Sequence, residues 1–275
     1  MLLSHYLGKY LLIAVTRDSP EIPDDALALP HVLRKILSED RYDPYYISQR
    51  LSVFGWLQEH DYFCMRLLVD VLDLRTNTTS FLCAQIDELV EGACAFEYLS
   101  GISVFCNLSQ FGGSADEVMA KIVNLLRDNY LKAGLSNIYY GFDEWLQYYR
   151  QAELALSVGL RLQPHIWIHR FREVAMGYLL EACVAELPAH MVCAPELITL
   201  MRYDEKNSTE YCHTLLTYLR CDMKIVRAAS ELYIHRSTLQ YRLDRIFSMT
   251  GLDLSDEDNR LYLLLSFRLL GNQSA

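Results

Sequence analysis

Three arginines stand close together near the C-terminal end of a chain whose formal net charge is -10. The stretch IHRSTLQYRLDRI, residues 234–246, contains Arg236, Arg242 and Arg245 and a single acid, Asp244. Residues 218–250 include six basic and three acidic side chains, a net charge of +3. A locally basic surface on an acidic chain is typical of a small site for a polyanion, but a solvated helix face gives the same count. The spacing of the residues has to separate these two interpretations.

The spacing predicts a helix-turn-helix over about residues 224–248. Each of two short helices carries its apolar residues on one face: Val226, Ala229 and Leu232 in the first, and Leu239, Leu243 and Ile246 in the second. Ile234 is expected to be buried in the turn of about four residues between them. Ala228 and Ala229 are small where the two helices must cross closely.

The second helix exposes polar side chains at its front and arginines at its flanks. Such a face suits a helix that reads base edges in the DNA major groove between two rows of phosphates. The candidate DNA-binding residues are His235, Arg236, Ser237, Thr238, Gln240, Tyr241, Arg242 and Arg245. The arginines are predicted to hold phosphates, and the residues predicted to face the bases are Ser237, Thr238, Gln240 and Tyr241. His235 either caps the helix or contacts a phosphate, and Asp244 either pairs with Arg245 or accepts a hydrogen bond from cytosine.

The segment AASELYIHRSTLQYRLDRI, followed by TGLDL, resembles the C-terminal DNA-binding domain of PucR-type and sugar-diacid (CdaR-type) transcription regulators. Their signature runs Leu-x-Ile/Val-His-Arg-Asn-Thr-Leu-x-Tyr-Arg-Leu-x-x-Ile. The matching residues are Leu232, Ile234, His235, Arg236, Thr238, Leu239, Tyr241, Arg242, Leu243 and Ile246. Ser237 departs from the usual Asn of this signature. The resemblance implies a cytoplasmic bacterial transcription regulator that binds double-stranded DNA, and its expected further partner is a small-molecule effector of unknown identity. Because a single helix-turn-helix buries little DNA surface, we also expect a homodimer or larger homo-oligomer.

Residues 61–170 alternate strand and helix in the order β-α-β-β-α-β, which predicts a ferredoxin-like sheet with helices on one face. Two strands are expected around a Ser100-Gly101 turn, and another over residues 135–142. Ser114 and Glu117 have the spacing of a capping box, while Asp43 and Asp143 are expected at the starts of two other helices. The family resemblance extends to this segment and implies a degenerate relative of diguanylate cyclase (GGDEF) domains.

The predicted fold class is therefore α+β, with a GGDEF-like ferredoxin-type α/β domain followed by an all-α helix-turn-helix domain. The predicted division places a short N-terminal segment, a remnant of a sensory region, at residues 1–55. The α/β domain then covers residues 56–171 and the helical domain residues 172–275. The segment YLLIAV, residues 10–15, reads as a strand without an evident partner, and no apolar run reaches the length of a membrane span.

Two other functions compete with DNA binding. FGGSADE, residues 111–117, and the pair Asp70 and Asp73 suggest a divergent nucleotide cyclase or nucleotide-binding protein, but FGGSADE follows the second hairpin strand instead of capping the hairpin. The third hypothesis is a protein-interaction module that binds no DNA. We predict no catalytic residue, metal or cofactor, because the eight cysteines form no C-x-x-C pair and His165 and His169, expected on one face of a strand, have no third ligand nearby.

Overall fold

The computed structural model of the chain describes residues 28–38, 43–68 and 79–271. The chain divides into two compact units: unit 1 ends at Met176, and unit 2 begins at Gly177. The expected strand YLLIAV and the pair Asp70 and Asp73 lie outside the described residues. None of the helices in the described ranges is both long and apolar enough to span a lipid bilayer.

Unit 1 is a mixed α/β unit. Its elements, in chain order, are α1 (Leu29–Ser38), α2 (Pro44–Ser52), β1 (Asp61–Leu68), α3 (Thr79–Leu89), β2 (Ala93–Tyr98), β3 (Gly101–Asn107), α4 (Leu108–Phe111), α5 (Ala115–Asp128), β4 (Lys132–Leu135), β5 (Tyr139–Tyr140), α6 (Trp145–Leu162) and β6 (Ile168–Arg170). Helix α7 (Phe171–Cys183) begins in unit 1 and ends in unit 2.

The sheet of unit 1 has the strand order β2-β3-β1-β4-β6, with β5 paired to β1. Strand β3 lies antiparallel between β1 and β2, β4 runs antiparallel to β1, and β6 runs parallel to β4. The split arrangement, in which β3 separates β1 from β2, is the one that the β-α-β-β-α-β order predicts. Together with the helical unit 2, this sheet confirms the α+β class.

Helices cover both faces of the sheet, so the prediction of helices on one face was wrong. Phe63, Met65 and Leu67 of β1 share a core with α3 and α5. The alternate residues Tyr62 and Cys64 share a second core with α1, α2 and α6. Successive side chains of a strand point to opposite faces, and almost every residue of β1 is buried. Both faces of the strand therefore need a cover.

The hairpin between β2 and β3 turns one residue earlier than predicted. Leu99 and Ser100 have positive φ angles of 42° and 57°, and Gly101 is already the first residue of β3. The buried Arg66 of β1 donates from Nη1 to the Tyr98 carbonyl at 2.6 Å and from Nη2 to the Leu99 carbonyl. A Cβ at Gly101 would lie 2.6 Å from the Leu67 carbonyl oxygen, so the arginine and the glycine together fit the turn against β1.

Two of the three predicted helix starts are confirmed. Ser114 and Glu117 form the capping box, and the Asp43 side chain accepts the Tyr45 N–H at 3.0 Å. Asp143 does not cap α6, which begins at Trp145 without a side-chain cap. The Asp143 carboxylate instead accepts a hydrogen bond from Gln58 Nε2 at 3.3 Å, so a contact distant in sequence replaces the local cap.

The strand expected over residues 135–142 is interrupted. Strand β4 ends at Leu135, and only Tyr139–Tyr140 pair again with β1. Between them, Ser136 Oγ accepts the Cys64 N–H at 2.8 Å and donates to the Asn137 carbonyl at 2.8 Å. A side chain thus takes the hydrogen bond that a continuous strand would have made with its backbone.

Unit 2 is helical. After α7 it contains α8 (Ala189–Val192), α9 (Pro195–Asn207), α10 (Tyr211–Arg220), α11 (Ile225–Glu231), α12 (Arg236–Thr250) and α13 (Glu257–Gly271). One hydrophobic core joins residues of α9, α10, α11, α12 and α13, among them Leu197, Leu215, Ala228, Leu243 and Leu263. This core fixes how α11 and α12 are presented.

Candidate nucleic-acid interface

Helices α11 and α12 form the helix-turn-helix that the sequence predicts. Leu239, Leu243 and Ile246 are at most 1% exposed and form the apolar stripe of α12. They share the core of unit 2 with Ala228 and Ala229 of α11, which are also buried. Because α12 is held along this stripe, its opposite face is left for solvent or a ligand.

The apolar face of α11 contains two of its three predicted residues, Ala229 and Leu232, but not Val226. Val226 is 75% exposed, so its placement on the buried face was wrong. The contacts with the core come from Ile225, Ala228, Ala229 and Leu232. These positions follow the i, i+3, i+4, i+7 spacing of one helix face. A helix of seven residues is too short for every residue of its buried face to be identified reliably from sequence.

The turn between the helices is closed by backbone hydrogen bonds. The Leu232 N–H donates to the Ala228 carbonyl and the Ile234 N–H to the Ala229 carbonyl, both at 3.0 Å. The second bond is the longer-range one of a Schellman motif, whose C′ residue adopts a left-handed conformation. That residue is Tyr233, with φ 53° and a 95% exposed side chain. Tyr233 was not among the residues predicted from sequence, because its left-handed conformation becomes visible only in the structure.

His235 occupies the N-cap of α12. Its Nδ1 accepts the Ser237 N–H at 3.4 Å and lies 2.8 Å from Ser237 Oγ. Of the two roles left open by the sequence, the cap is the one present in the structure. His235 Nδ1 also forms a hydrogen bond with the Ser237 hydroxyl, which is one of the predicted base-facing groups.

Seven of the eight candidate residues are exposed at the turn or on α12: His235, Arg236, Ser237, Thr238, Gln240, Tyr241 and Arg245. The structure brings them onto one short segment of a single helix and its cap. The eighth, Arg242, is only half-buried and is directed toward α10. The exposed front therefore combines hydrogen-bonding groups with the cations Arg236 and Arg245.

Asp244 is paired in a way that the sequence analysis did not foresee. Its Oδ1 accepts a hydrogen bond from Gln240 Nε2 at 3.0 Å, one helical turn earlier. Arg245 instead lies against the Tyr203 hydroxyl. This hydrogen bond is the largest cause that raises the pKa of the Arg245 guanidinium, and the nearby Tyr241 raises the pKa further. Tyr203 is stacked on Tyr211, with ring centroids 5.7 Å apart. The pairing of Asp244 with Arg245 is therefore replaced by two separate contacts.

Arg242 connects the second helix of the motif to the helix that precedes the motif. Its Nη1 donates to Thr214 Oγ1 at 3.1 Å, and the fully buried Thr214 hydroxyl donates to the Glu210 carbonyl at 2.8 Å. This contact spans 28 positions in sequence and could not be read from local spacing. It fixes the position of α12 against α10.

The start of α10 is capped by a residue of α9. Glu210, at the N-cap position, makes no side-chain cap. Asp204 replaces it: Oδ1 accepts the Tyr211 N–H at 2.9 Å and Oδ2 accepts the Cys212 N–H at 2.7 Å. A carboxylate at a helix N-terminus is also favoured by the helix dipole. Asp204 thereby secures the α9–α10 junction on which α12 rests.

Asp204→Ala should therefore lower the free energy of unfolding by about 1–3 kcal/mol, because two N–H groups lose a charged acceptor. Urea denaturation followed by circular dichroism measures the change. Glu205→Ala removes the same charge from the next, exposed position of α9 and should have little effect. Equal stability of the two variants would contradict the capping role of Asp204.

Three further observations concern metal binding and thiol chemistry in the described residues. Within them, no group of three or more His, Cys, Asp or Glu side chains is placed to hold a metal ion. His165 lies outside β6, so the expectation that it shares a strand face with His169 was wrong. All eight cysteines are free, and burial raises the pKa of the Cys83 and Cys212 thiols to about 12, which keeps them protonated at neutral pH.

The geometry of unit 2 defines the class of protein to which it corresponds: a helix-turn-helix domain with an exposed second helix. Residues 211–269 match the family model of the PucR C-terminal helix-turn-helix domain. The chain is 30% identical over 138 residues to the carbohydrate diacid regulator of Escherichia coli K12, an alignment covering 50% of this chain and 35% of that protein. It is 43% identical over 75 residues to the proline-responsive transcriptional activator PutR of Bacillus subtilis, covering 27% of this chain and 18% of that protein.

These matches confirm the resemblance to PucR-type and sugar-diacid regulators, and residues 211–269 are similar to the C-terminal helix-turn-helix domain of the PucR type. The alignments span about a third or less of those relatives' lengths. Among solved structures, the regulator of polyketide synthase expression from Bifidobacterium adolescentis superposes with a TM-score of 0.44 at 15% identity, covering 94% of this chain and 97% of that one.

Proposed function

We propose that the protein is a sequence-specific, DNA-binding transcription regulator of the PucR type that acts in the bacterial cytoplasm. In this proposal α12 enters the major groove as the recognition helix. The observation that carries it is the division of α12 into a buried apolar stripe and an exposed front of polar and cationic side chains. The match of this same segment to the PucR helix-turn-helix model supports the proposal.

The exposed residues divide into two groups by the chemistry they offer. Arg236 and Arg245 are the cations suited to phosphate, and the N-cap His235 lies beside them at the start of α12. The polar side chains that face the bases in this proposal are Ser237, Thr238, Gln240 and Tyr241. Arg242, first predicted to hold a phosphate, already gives one donor to Thr214, and we assign it the positioning of α12 in addition to any phosphate contact.

The two groups should fail differently when they are substituted. Arg236→Ala should weaken binding to all duplexes and reduce the slope of log K against log salt by about 0.9, the value for one lost phosphate contact. Gln240→Ala should mainly reduce discrimination between a preferred site and random DNA, by about 1–3 kcal/mol. Fluorescence anisotropy with a random-sequence duplex and with sites selected from a random library measures both quantities.

Arg268→Ala is the control for the loss of charge, because it removes an exposed arginine from α13. It should change the salt slope less than Arg236→Ala does. A folded Arg236→Ala protein with unchanged affinity and slope would count against α12 as the DNA surface, and the protein-interaction module would then become the better hypothesis. Retained binding of random DNA with no preferred site would remove sequence specificity from the proposal.

The assembly on DNA is expected to be a homodimer or a larger homo-oligomer. One helix-turn-helix buries little DNA surface, so binders of this kind usually use two half-sites about one helical turn, 10 base pairs, apart. Footprinting combined with sedimentation of the protein–DNA complex should therefore give two protected half-sites and at least two protomers. Full affinity for an isolated half-site with one protomer would contradict this expectation.

Unit 1 is assigned here as a degenerate GGDEF-like domain that serves assembly or the sensing of a small-molecule effector. The split order of its sheet and the hairpin between β2 and β3 support this assignment. Enzymatic activity is not part of the proposal: Glu97 is the single acid in residues 93–107, and Ser114 and Glu117 of the cyclase-like segment are already bonded to each other. The predicted domain boundaries after residues 55 and 171 remain part of the same proposal.

A further inference from the structure

Tyr233, in the turn between α11 and α12, is placed in a way that the fold of unit 2 does not require. Its side chain is 95% exposed, the largest fraction among the exposed large hydrophobic side chains of the described residues. With the other described residues, Tyr233 forms no hydrogen bond through its hydroxyl and no contact between aromatic rings. Its backbone contributes to the turn through the Tyr233 N–H, which donates to the Ser230 carbonyl at 3.2 Å.

The backbone conformation at Tyr233 makes an aromatic residue unfavourable there. A φ of 53° lies in the left-handed region, which side chains with a Cβ adopt at a cost and glycine adopts freely. Glycine is the usual residue at this C′ position of a Schellman motif. A tyrosine that is exposed at such a position and makes no packing contact leaves its ring and hydroxyl available for an interaction outside the chain.

The surroundings of Tyr233 indicate what that interaction is. It stands two residues before the N-cap His235 and three before the exposed cation Arg236. In helix-turn-helix complexes the start of the second helix enters the major groove, so the residues just before it lie near the phosphates that border the groove. Tyrosine hydroxyls are among the groups that donate to DNA phosphates. A neighbouring cation attracts a polyanion more than it attracts a second copy of an acidic chain.

We infer that Tyr233 is a DNA-contact residue, whose hydroxyl donates a hydrogen bond to a backbone phosphate beside the N-terminus of α12. This inference rests on the proposed DNA binding and adds a contact outside the motif residues recognised by sequence. The contact is neutral on the protein side and independent of base sequence. It therefore predicts a pattern of effects that differs from that of an arginine–phosphate contact and from that of a base contact.

Tyr233→Phe removes the hydroxyl and keeps the ring and the backbone. We expect binding to a selected site and to a random-sequence duplex to weaken by a similar factor, about three- to tenfold, since a phosphate contact carries no sequence information. The slope of log K against log salt should stay at the wild-type value, because the variant has the same charge. Tyr233→Gly should weaken binding at least as much while melting no lower than the wild-type chain, because glycine relieves the left-handed conformation.

Tyr130→Phe is the matched control. Tyr130 belongs to unit 1, is 68% exposed and has the same φ of 53°, and its loss of a hydroxyl should leave DNA binding unchanged. Wild-type affinity of a folded Tyr233→Phe protein for both duplexes overturns the inference and leaves the proposed function intact. A changed sedimentation coefficient without DNA, at unchanged affinity per protomer, also overturns it and assigns Tyr233 to a protein contact. A wild-type chain that binds neither duplex overturns the proposed function itself.

Discussion

Leu243→Ala should lower the free energy of unfolding by about 2–5 kcal/mol. DNA binding should be lost under the conditions in which unit 2 of the variant is unfolded. The Leu243 side chain is 1% exposed and lies in the core that joins α9, α10, α11, α12 and α13. Its removal leaves a cavity at the point where the two helices of the motif meet their support. Urea denaturation gives the change in stability, and anisotropy at a temperature below the melting transition gives the change in binding.

Leu261→Ala is the control for this first prediction, because Leu261 is 55% exposed on α13 of the same unit. It should cost well under 1 kcal/mol, in line with substitutions at exposed sites. Similar losses for the two leucines would show that the buried stripe of α12 is not what holds the motif together. Loss of binding by a fully folded Leu243→Ala protein would instead mean that Leu243 orients α12 for binding without being needed for the fold.

Gly134→Ala should destabilise unit 1 by about 3 kcal/mol, at the upper end of the usual cost of overpacking. A Cβ at Gly134 would lie 2.2 Å from the Ala152 carbonyl oxygen and 2.4 Å from the Leu156 N atom, both in the backbone of α6. Neither atom can move without shifting the helix away from β4. Thermal and urea denaturation should both detect the change.

Gly271→Ala adds the same methyl group at the end of α13, where no atom lies within 4 Å, and it should be nearly neutral. A Gly134→Ala chain as stable as the wild type would mean that the approach of β4 and α6 is looser than the structure describes. The prediction is independent of DNA binding, so it tests the fold of unit 1 alone.

Local patterns were read correctly where the interacting residues are close in sequence. The capping box of Ser114 and Glu117 and the stripe of Leu239, Leu243 and Ile246 depend on spacings of three or four residues, which a helix fixes by itself. The class of the fold followed from the alternation of such elements. The placement of Val226 in α11 failed for the converse reason, since seven residues provide fewer than two full repeats of the pattern.

Contacts between elements could not be predicted in the same way. The bond from Arg242 to Thr214 requires α10 to lie beside α12. The cap that Asp204 provides for α10 requires the chain to fold back after α9. Helices on both faces of the sheet were, in contrast, indicated by the sequence of β1, in which neighbouring apolar residues (Tyr62 to Met65, then Leu67 and Leu68) point to opposite faces.

The hydrogen bond between Gln240 and Asp244 means that the Gln240 amide is oriented before any ligand binds. Gln240 Nε2 is already satisfied at 3.0 Å by a carboxylate in the free protein. That bond uses one of the two N–H groups of the amide, so the second N–H and Oε1 can bind a base while the carboxylate stays in place and holds the amide in a fixed orientation. In the proposed complex the Asp244 carboxylate would accept a hydrogen bond from a cytosine amino group while the Gln240 amide binds an adenine. The pair would therefore favour base steps that satisfy both side chains at once.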